Sequence, residues 1–359
     1  MRVDQEDICS KLQRVILKQL TPLIDSDYCY LDLPYHSNIG DSLIWLGTDY
    51  FLKTLPYNCQ GQHSIETFDF HPLPPDTVIL LHGGGNFGDI WRQHQEFRLK
   101  VIQTYPDNPI IVLPQTVYYE SQEVFTEDVR KMNQHHKLTI CARDSHSAEL
   151  LTQKGFTGQT LTLPDMAFCI DRDIIWGYKN RVTKETLLLL RKDKESPKSP
   201  LTKGVISTQT EIKDWPTQKE AYKIAKRYVR KHTTCEIDTF FQTSFLPERI
   251  KEGVKFVSEY KMVYSTRLHV AILRLLLGMP VKMMDNSYGK NLNFYDTWLK
   301  DSNLVSTPDE EELEAIDMAI YTHHREHRIK KRRQKICIII LTLILLVALT
   351  ALIASLTIK

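Results

Sequence analysis

Chemistry is densest in one short stretch, Thr77-Val-Ile-Leu-Leu-His-Gly-Gly-Gly-Asn-Phe-Gly-Asp-Ile-Trp91, where an uncharged run meets three consecutive glycines. The pattern predicts a strand from Val78 and a helix from Ile90 to about Thr104. A strand that ends in glycines and opens a helix leaves bare N–H groups at the positive end of a helix dipole, where proteins hold anions. Gly83, Gly85 and Gly88 also satisfy the G-x-G-x-x-G spacing of a dinucleotide site. Such a site needs an acid at the tip of the next strand to hold the ribose. The next strand, Pro109 to Gln115, ends in Gln115, and the nearest acids, Asp107 and Glu120, flank it on the wrong sides. The reading therefore runs against a nicotinamide or flavin cofactor. The glycines still allow a tight turn and a close backbone approach to some other ligand.

Further reactive side chains stand at strand ends. Arg143 ends the strand-like Leu138–Arg143, Arg191 ends Thr186–Arg191, and Arg267 follows Met262-Val-Tyr264. For a lone arginine a surface salt bridge is the commoner fate, but at a strand end the side chain points toward a cleft. His269 lies two residues after Arg267, at the expected start of a helix. Asp41 and Asp89 each follow a glycine at a strand-to-helix turn, a position suited equally to helix capping and to holding a hydroxyl. Asn286, Tyr288 and Lys290 lie in a polar stretch after the strand Val281–Asp285. His323, His324 and His327 have metal-like spacing, but the surrounding lysines and arginines would repel a divalent ion, so no metal is expected.

These residues need a scaffold, and the chain supplies an alternation of strand-like and helix-like runs, the mark of an α/β protein. Residues 1–182 are expected to form one Rossmann-like domain and 183–330 a second, with a ligand cleft between them. Met1 to Leu20 reads as an amphipathic helix, and Lys192 to Lys203 as a charged, Ser/Pro-rich loop. The 359 residues suffice for two cores. A net charge of +2 gives no field for nucleic acid. The seven scattered cysteines include no Cys-x-x-Cys pair, so they read as thiols of a reducing compartment. Ile336 to Ile358 is an uncharged run about 34 Å long as a helix, enough to span a bilayer. Seven basic residues between Arg325 and Lys335 precede it. The expectation is a C-terminal transmembrane anchor at 336–358, in contact with membrane lipids, with the globular body on the cytoplasmic side.

Seven motifs in order give the chain a family resemblance: Asn38-Ile-Gly-Asp41, Gly83-Gly-Gly-Asn-Phe-Gly-Asp-Ile-Trp91, Ala142-Arg-Asp-Ser145, Leu163-Pro-Asp165, Leu190-Arg-Lys-Asp-Lys-Glu195, Thr266-Arg-Leu-His269 and Asp285-Asn-Ser-Tyr-Gly-Lys-Asn291. Over about residues 30 to 300 it resembles the polysaccharide pyruvyl transferases. The resemblance implies a fold like that of GT-B glycosyltransferases. It also implies transfer of pyruvate from phosphoenolpyruvate, the only co-substrate, onto two hydroxyls of a sugar as a ketal. It makes His269 and Arg267 the catalytic pair. A donor with a phosphate and a carboxylate calls for cationic forks, expected from Arg143, Arg191, Arg267 and Lys290. Asp41, Gly84, Gly85, Asn86 and Asp89 are then expected on the acceptor side. With the anchor, a lipid-linked oligosaccharide becomes the economical acceptor. The competing expectations are a glycosyltransferase using a nucleotide sugar and a family member that binds glycan without turnover.

Overall fold

The computed structural model describes residues 7–196, 210–216, 227, 231–316 and 334. In chain order the elements are α1 (Ile8–Leu20), β1 (Tyr28–Leu31), α2 (Ile39–Leu52), β2 (Cys59–His63), β3 (Val78–Leu81), β4 (Gly84–Gly88), α3 (Arg92–Thr104) and β5 (Ile110–Tyr118). Next come α4 (Gln122–Met132), β6 (Leu138–Ala142), α5 (Ser145–Gln153), β7 (Gln159–Thr162), α6 (Arg172–Trp176), β8 (Lys184–Leu189) and β9 (Thr210–Lys213). The chain continues through α7 (Thr234–Phe240), α8 (Leu246–Ser258), β10 (Tyr260–Ser265), α9 (Leu268–Leu276), β11 (Val281–Met283), α10 (Lys290–Phe294) and β12 (Val305–Ser306). Contacts divide the chain into two compact units. Met1–Lys198 with Lys213–Pro308 make the first, and Ser199–Ile212 with Asp309–Lys359 make the second. In the second, Asp309 and Glu312 cap each other's backbone N–H at the start of a helical turn.

The first unit holds two parallel sheets. One runs β2-β1-β3-β5-β6-β7, with β4 also pairing β5. In the other, β10 lies between β8 and β11, and β11 pairs β12. Parallel strands carry helices on both faces, so both faces of the central strands β3, β5 and β6 are buried. Val78, Leu80, Ile111 and Leu113 pack into one core, while Ile79, Leu81, Ile110 and Val112 pack into another. Each such side chain contributes about 1.5–3 kcal/mol on burial. On α1, Cys9, Leu12, Ile16 and Leu20 form the buried stripe expected of an amphipathic helix.

All strands of a sheet point the same way, so their carboxyl ends gather on one edge, the ordinary ligand side of doubly wound folds. Asp32 follows β1, His82 follows β3, Arg143 follows β6 and Asp165 lies beyond β7. Arg191 follows β8, Arg267 follows β10, and Lys290 begins α10 after β11. Buried polar groups fix both edges. At the amino ends of β10 and β11, Arg274 on α9 donates to the carbonyls of Val257, Tyr260, Lys261 and Pro280 at 2.6–3.0 Å. At the carboxyl ends a second clamp stands. Asn291 ties Thr266 O at 2.9 Å to Met284 O at 2.7 Å. Across the two halves, the Trp298 indole donates to Arg143 O at 2.8 Å and Tyr118 stacks on Tyr288 at 4.2 Å.

Two expectations change. The α/β class with parallel sheets is present, but among the described residues no transmembrane helix accompanies it. Among the described residues no helix is long and apolar enough to cross a membrane, and 336–358 lies outside them, as do His323, His324 and His327. The expected lipid contact and cytoplasmic orientation rested on that segment and on its basic flank, Arg325 to Lys335, which also lies outside the described residues. The glycine stretch also differs. Gly84–Gly88 is a strand, not a turn into a helix, and α3 begins only at Arg92. Gly88 sits at φ +134°, and a Cβ there would lie 1.7 Å from the Tyr118 carbonyl oxygen. The glycines thus serve a tight backbone pairing with β5.

Candidate active site

A cleft of about 400 Å³ opens along the gathered strand ends. Of the residues singled out in the sequence, Asp41, Gly85, Asn86, Arg191, Arg267, His269 and Lys290 line it. Gly84, Asp89 and Arg143 do not. Asp89 accepts from the Glu120 and Ser121 backbone N–H groups at 2.9 and 2.8 Å and so ties β4 to the start of α4. Arg143 lies fully buried behind the wall. A Cβ on Gly85 would be 2.3 Å from Lys290 Nζ and 3.5 Å from Arg143 Nη2, so the bare backbone of β4 lets both cations approach.

One wall is a network of cations and carboxylates. Arg191 bonds Asp193 at 2.8 Å through Nε and Glu195 at 2.5 Å through Nη1. Arg267 grips Asp214 through Nε at 2.5 Å and Nη2 at 2.9 Å, and Nη2 also reaches Asp193 at 3.2 Å. Among the described residues the Nη1 of Arg267 has no partner, which leaves one end of its fork for a ligand. Glu195 Oε2 accepts from Arg191, Tyr288, Asn286 and Lys290 at 2.5–3.3 Å. Four donors on one oxygen exceed its lone-pair directions, so these donors are concentrated around a single negative charge. Burial pushes the Glu195 carboxyl up, but Lys290 and Arg191 prevail and hold it well below the carboxylate range. Burial also lowers Lys290, with help from Arg143 and Arg191 and against Glu195, to about 8.

The other wall carries His269. It stands in the first turn of α9, and its Nε2 lies 3.2 Å from Asp165 Oδ2. The same oxygen accepts from Arg143 Nη1 at 2.7 Å, and Asp165 Oδ1 caps the turn after β7 through Ala167 N–H at 3.0 Å. Burial alone would raise Asp165, but His269 and Arg143 outweigh it and hold the carboxyl far below its ordinary range. A Cβ on Gly40 would fall 2.5 Å from His269 Nδ1, so the ring packs against bare backbone at the start of α2. Asn38 caps that helix through Gly40 N–H at 3.0 Å and donates to Asp41 Oδ2 at 2.7 Å. Burial raises Asp41, but His36, His269, His82 and Lys290 together lower it.

Several residues of the site were not singled out from the sequence. Asp165 and Glu195 lie inside motifs quoted above, but their partners stand 104 and 95 residues away. Trp91, Trp215, His36 and His94 also line the cleft. His94 pairs with Asp32 at 2.6 Å, across 62 residues.

Residues 38–288, which hold every strand end named above except Asp32 and Lys290, match the polysaccharide pyruvyl transferase family. The chain belongs to this family. As a polysaccharide pyruvyl transferase it is a transferase, and the family implies in general terms a pyruvate donor and a glycan acceptor. A putative pyruvyl transferase of Bacillus subtilis (strain 168), EpsO, is 29% identical over 306 residues, spanning 81% of this chain and 93% of its own. Pyruvyl transferase 1 of Schizosaccharomyces pombe is 26% identical over 284 residues, spanning 75% and 69% respectively. A crystal structure of a functionally uncharacterised Klebsiella pneumoniae protein superposes with a TM-score of 0.55 at 19% identity, covering 85% of this transferase and 100% of that chain. That likeness concerns the fold.

Proposed function

We propose that this transferase moves pyruvate from phosphoenolpyruvate onto two hydroxyls of a glycan, free or lipid-linked, to form a pyruvate ketal. The observation that carries the reading is the meeting, in one cleft, of Arg191, Arg267 and Lys290 with His269 and with the hydroxyl-binding groups Asp41 and Asn86. Phosphoenolpyruvate presents a carboxylate and a phosphate, and a guanidinium N–H beside a point cation suits that pair. The free end of Arg267 and the ammonium of Lys290 take these anions.

The donor's methylene carbon accepts a proton from His269 while a glycan hydroxyl oxygen bonds to the adjacent carbon and loses its proton. A second hydroxyl then bonds to the same carbon, the carbon–oxygen bond to phosphate breaks, and its electron pair leaves with phosphate. Of the two hydroxyl protons, one balances the new methyl group and the other departs with phosphate. The arginines and Lys290 stabilise charge on the leaving group. Asp165 holds the imidazole in place from 3.2 Å. Neither Asp41 nor Asn86 needs to change charge to orient the acceptor.

The test is donor-dependent phosphate release with candidate glycans, followed by the mass of the product. Arg267→Ala and His269→Ala are expected to abolish most of it. Release equal to the parent in both variants would overturn these assignments. Thermal protection by a nucleoside diphosphate but none by phosphoenolpyruvate would point instead to a nucleotide-sugar donor.

A further inference from the structure

The reaction just described needs a proton removed from each attacking hydroxyl, and His269 is committed to supplying one. A second histidine stands in the same cleft. His94, in the first turn of α3, is largely buried yet lines the cleft beside His36, Asp41 and Asn86. Its Nδ1 lies 2.6 Å from Asp32 Oδ1. With Nδ1–H donated to that carboxylate, Nε2 carries the lone pair. Among the described residues its only hydrogen-bond contact is the Gln93 amide nitrogen, at 3.4 Å. Asp32 is itself fixed. Its other oxygen accepts from Arg98 Nη2 at 2.8 Å, and Arg98 also grips Asn86 through O and Oδ1.

A backbone observation singles out the same carboxylate. Asp32 is a non-glycine residue at φ +66°, directly after β1. That region costs an aspartate conformational energy and persists only where the surroundings impose it, which is commonly at working sites. The strain turns the side chain off the strand end toward α3. A histidine held by a buried carboxylate through one nitrogen, with the other nitrogen facing a cleft, is the arrangement that abstracts a hydroxyl proton.

We propose that His94, oriented by Asp32, is the general base that takes the proton from the attacking acceptor hydroxyl. This rests on the pyruvyl-transfer reading above. In the first step the hydroxyl oxygen bonds to the donor carbon, its O–H pair stays on oxygen, and its proton passes to His94 Nε2. Meanwhile the methylene carbon receives its proton from His269. The charged and titratable groups that face His94 are Asp32 and Arg98 behind it and His36 and Asp41 across the cleft.

The experiment compares the parent with His94→Gln and Asp32→Asn, measuring turnover against pH and, separately, donor affinity by equilibrium titration with phosphoenolpyruvate. The parent is expected to lose turnover toward acid pH, because a protonated base cannot accept. His94→Gln is expected to lose turnover by a hundredfold or more, to lose that acid limb, and to keep donor affinity within about threefold. Added imidazole should restore part of its rate. Asp32→Asn should lower the turnover number while leaving KM for the donor nearly unchanged. A folded His94→Gln protein with parental turnover and a parental acid limb overturns the inference while the pyruvyl-transfer reading stands. A parent protein with no donor-dependent phosphate release overturns both. Should His94→Gln fail to fold, Asp32→Asn and His94→Asn carry the same comparison of turnover with donor affinity.

Discussion

Replacing Asp165 by asparagine changes one charge at the junction of the two sheets and little else. The amide keeps the side chain's size and can still cap Ala167 N–H, now bonded at 3.0 Å. What goes is the negative charge shared by Arg143 at 2.7 Å and His269 at 3.2 Å. Arg143 is 0% exposed, and its remaining side-chain partner is Thr116 Oγ1, at 3.2 Å from Nε and 2.9 Å from Nη2. An uncompensated buried guanidinium costs about 3–5 kcal/mol. With a urea slope of about 3 kcal/mol per M, the unfolding midpoint should fall by about 1–1.7 M at neutral pH. The pH dependence follows from the depressed carboxyl of Asp165. A group held down in the folded state adds stability above its unfolded value near 4 and loses it as pH falls toward the folded one. The gap between parent and variant should therefore narrow below about pH 4. Turnover should fall by at least about a hundredfold, because His269 loses the carboxylate that orients it. The companion double variant, Arg143→Met with Asp165→Leu, should recover most of the stability and none of the turnover. A midpoint within about 0.3 M of the parent at neutral pH, roughly 1 kcal/mol, would refute the reasoning.

Gly40→Ala places a Cβ 2.5 Å from His269 Nδ1. It is expected to cut turnover by tenfold or more while moving the unfolding midpoint little, as read by steady-state kinetics beside urea titration. Lys290, lowered to about 8, should give donor binding a break at that pH. Affinity should fall by at most about tenfold per pH unit above it, the slope of one proton taken up on binding. Folding stability should move the opposite way over the same window, since the unfolded lysine still holds the proton that the folded one has released. Lys290→Arg should abolish the break in affinity.

Much of the scaffold is legible in the sequence because buried parallel strands read as unbroken apolar runs. Val78–Leu81 and Ile110–Leu113 are such runs, and both lie at the centre of the first sheet. β2 escapes that reading because Cys59–His63 is polar and partly exposed at the sheet edge. β4 escapes because glycines carry no pattern to read, and its register against β5 depends on backbone contact alone. Arg191, Arg267, His269 and Lys290 meet in the cleft because strand ends gather in a parallel sheet, a rule that sequence position can apply. Arg143 obeys the same rule but is turned inward by Asp165, and Asp89 is turned toward α4 by two backbone donors. Ion pairs such as Asp32–His94 and Asp165–His269 join residues far apart in sequence. No local spacing announces them.

Transfer of pyruvate from phosphoenolpyruvate to a glycan diol in this cleft can be read directly from the product. The most direct measurement incubates the full chain with phosphoenolpyruvate labelled in its carbon skeleton and with acceptor glycans, free and lipid-linked. It follows the label into the glycan by mass spectrometry. The expected product is a glycan heavier by one pyruvate less one water, formed in equal amount with free phosphate and absent with Arg267→Ala. Label that remains in free pyruvate, with the glycan mass unchanged for every acceptor, would contradict it.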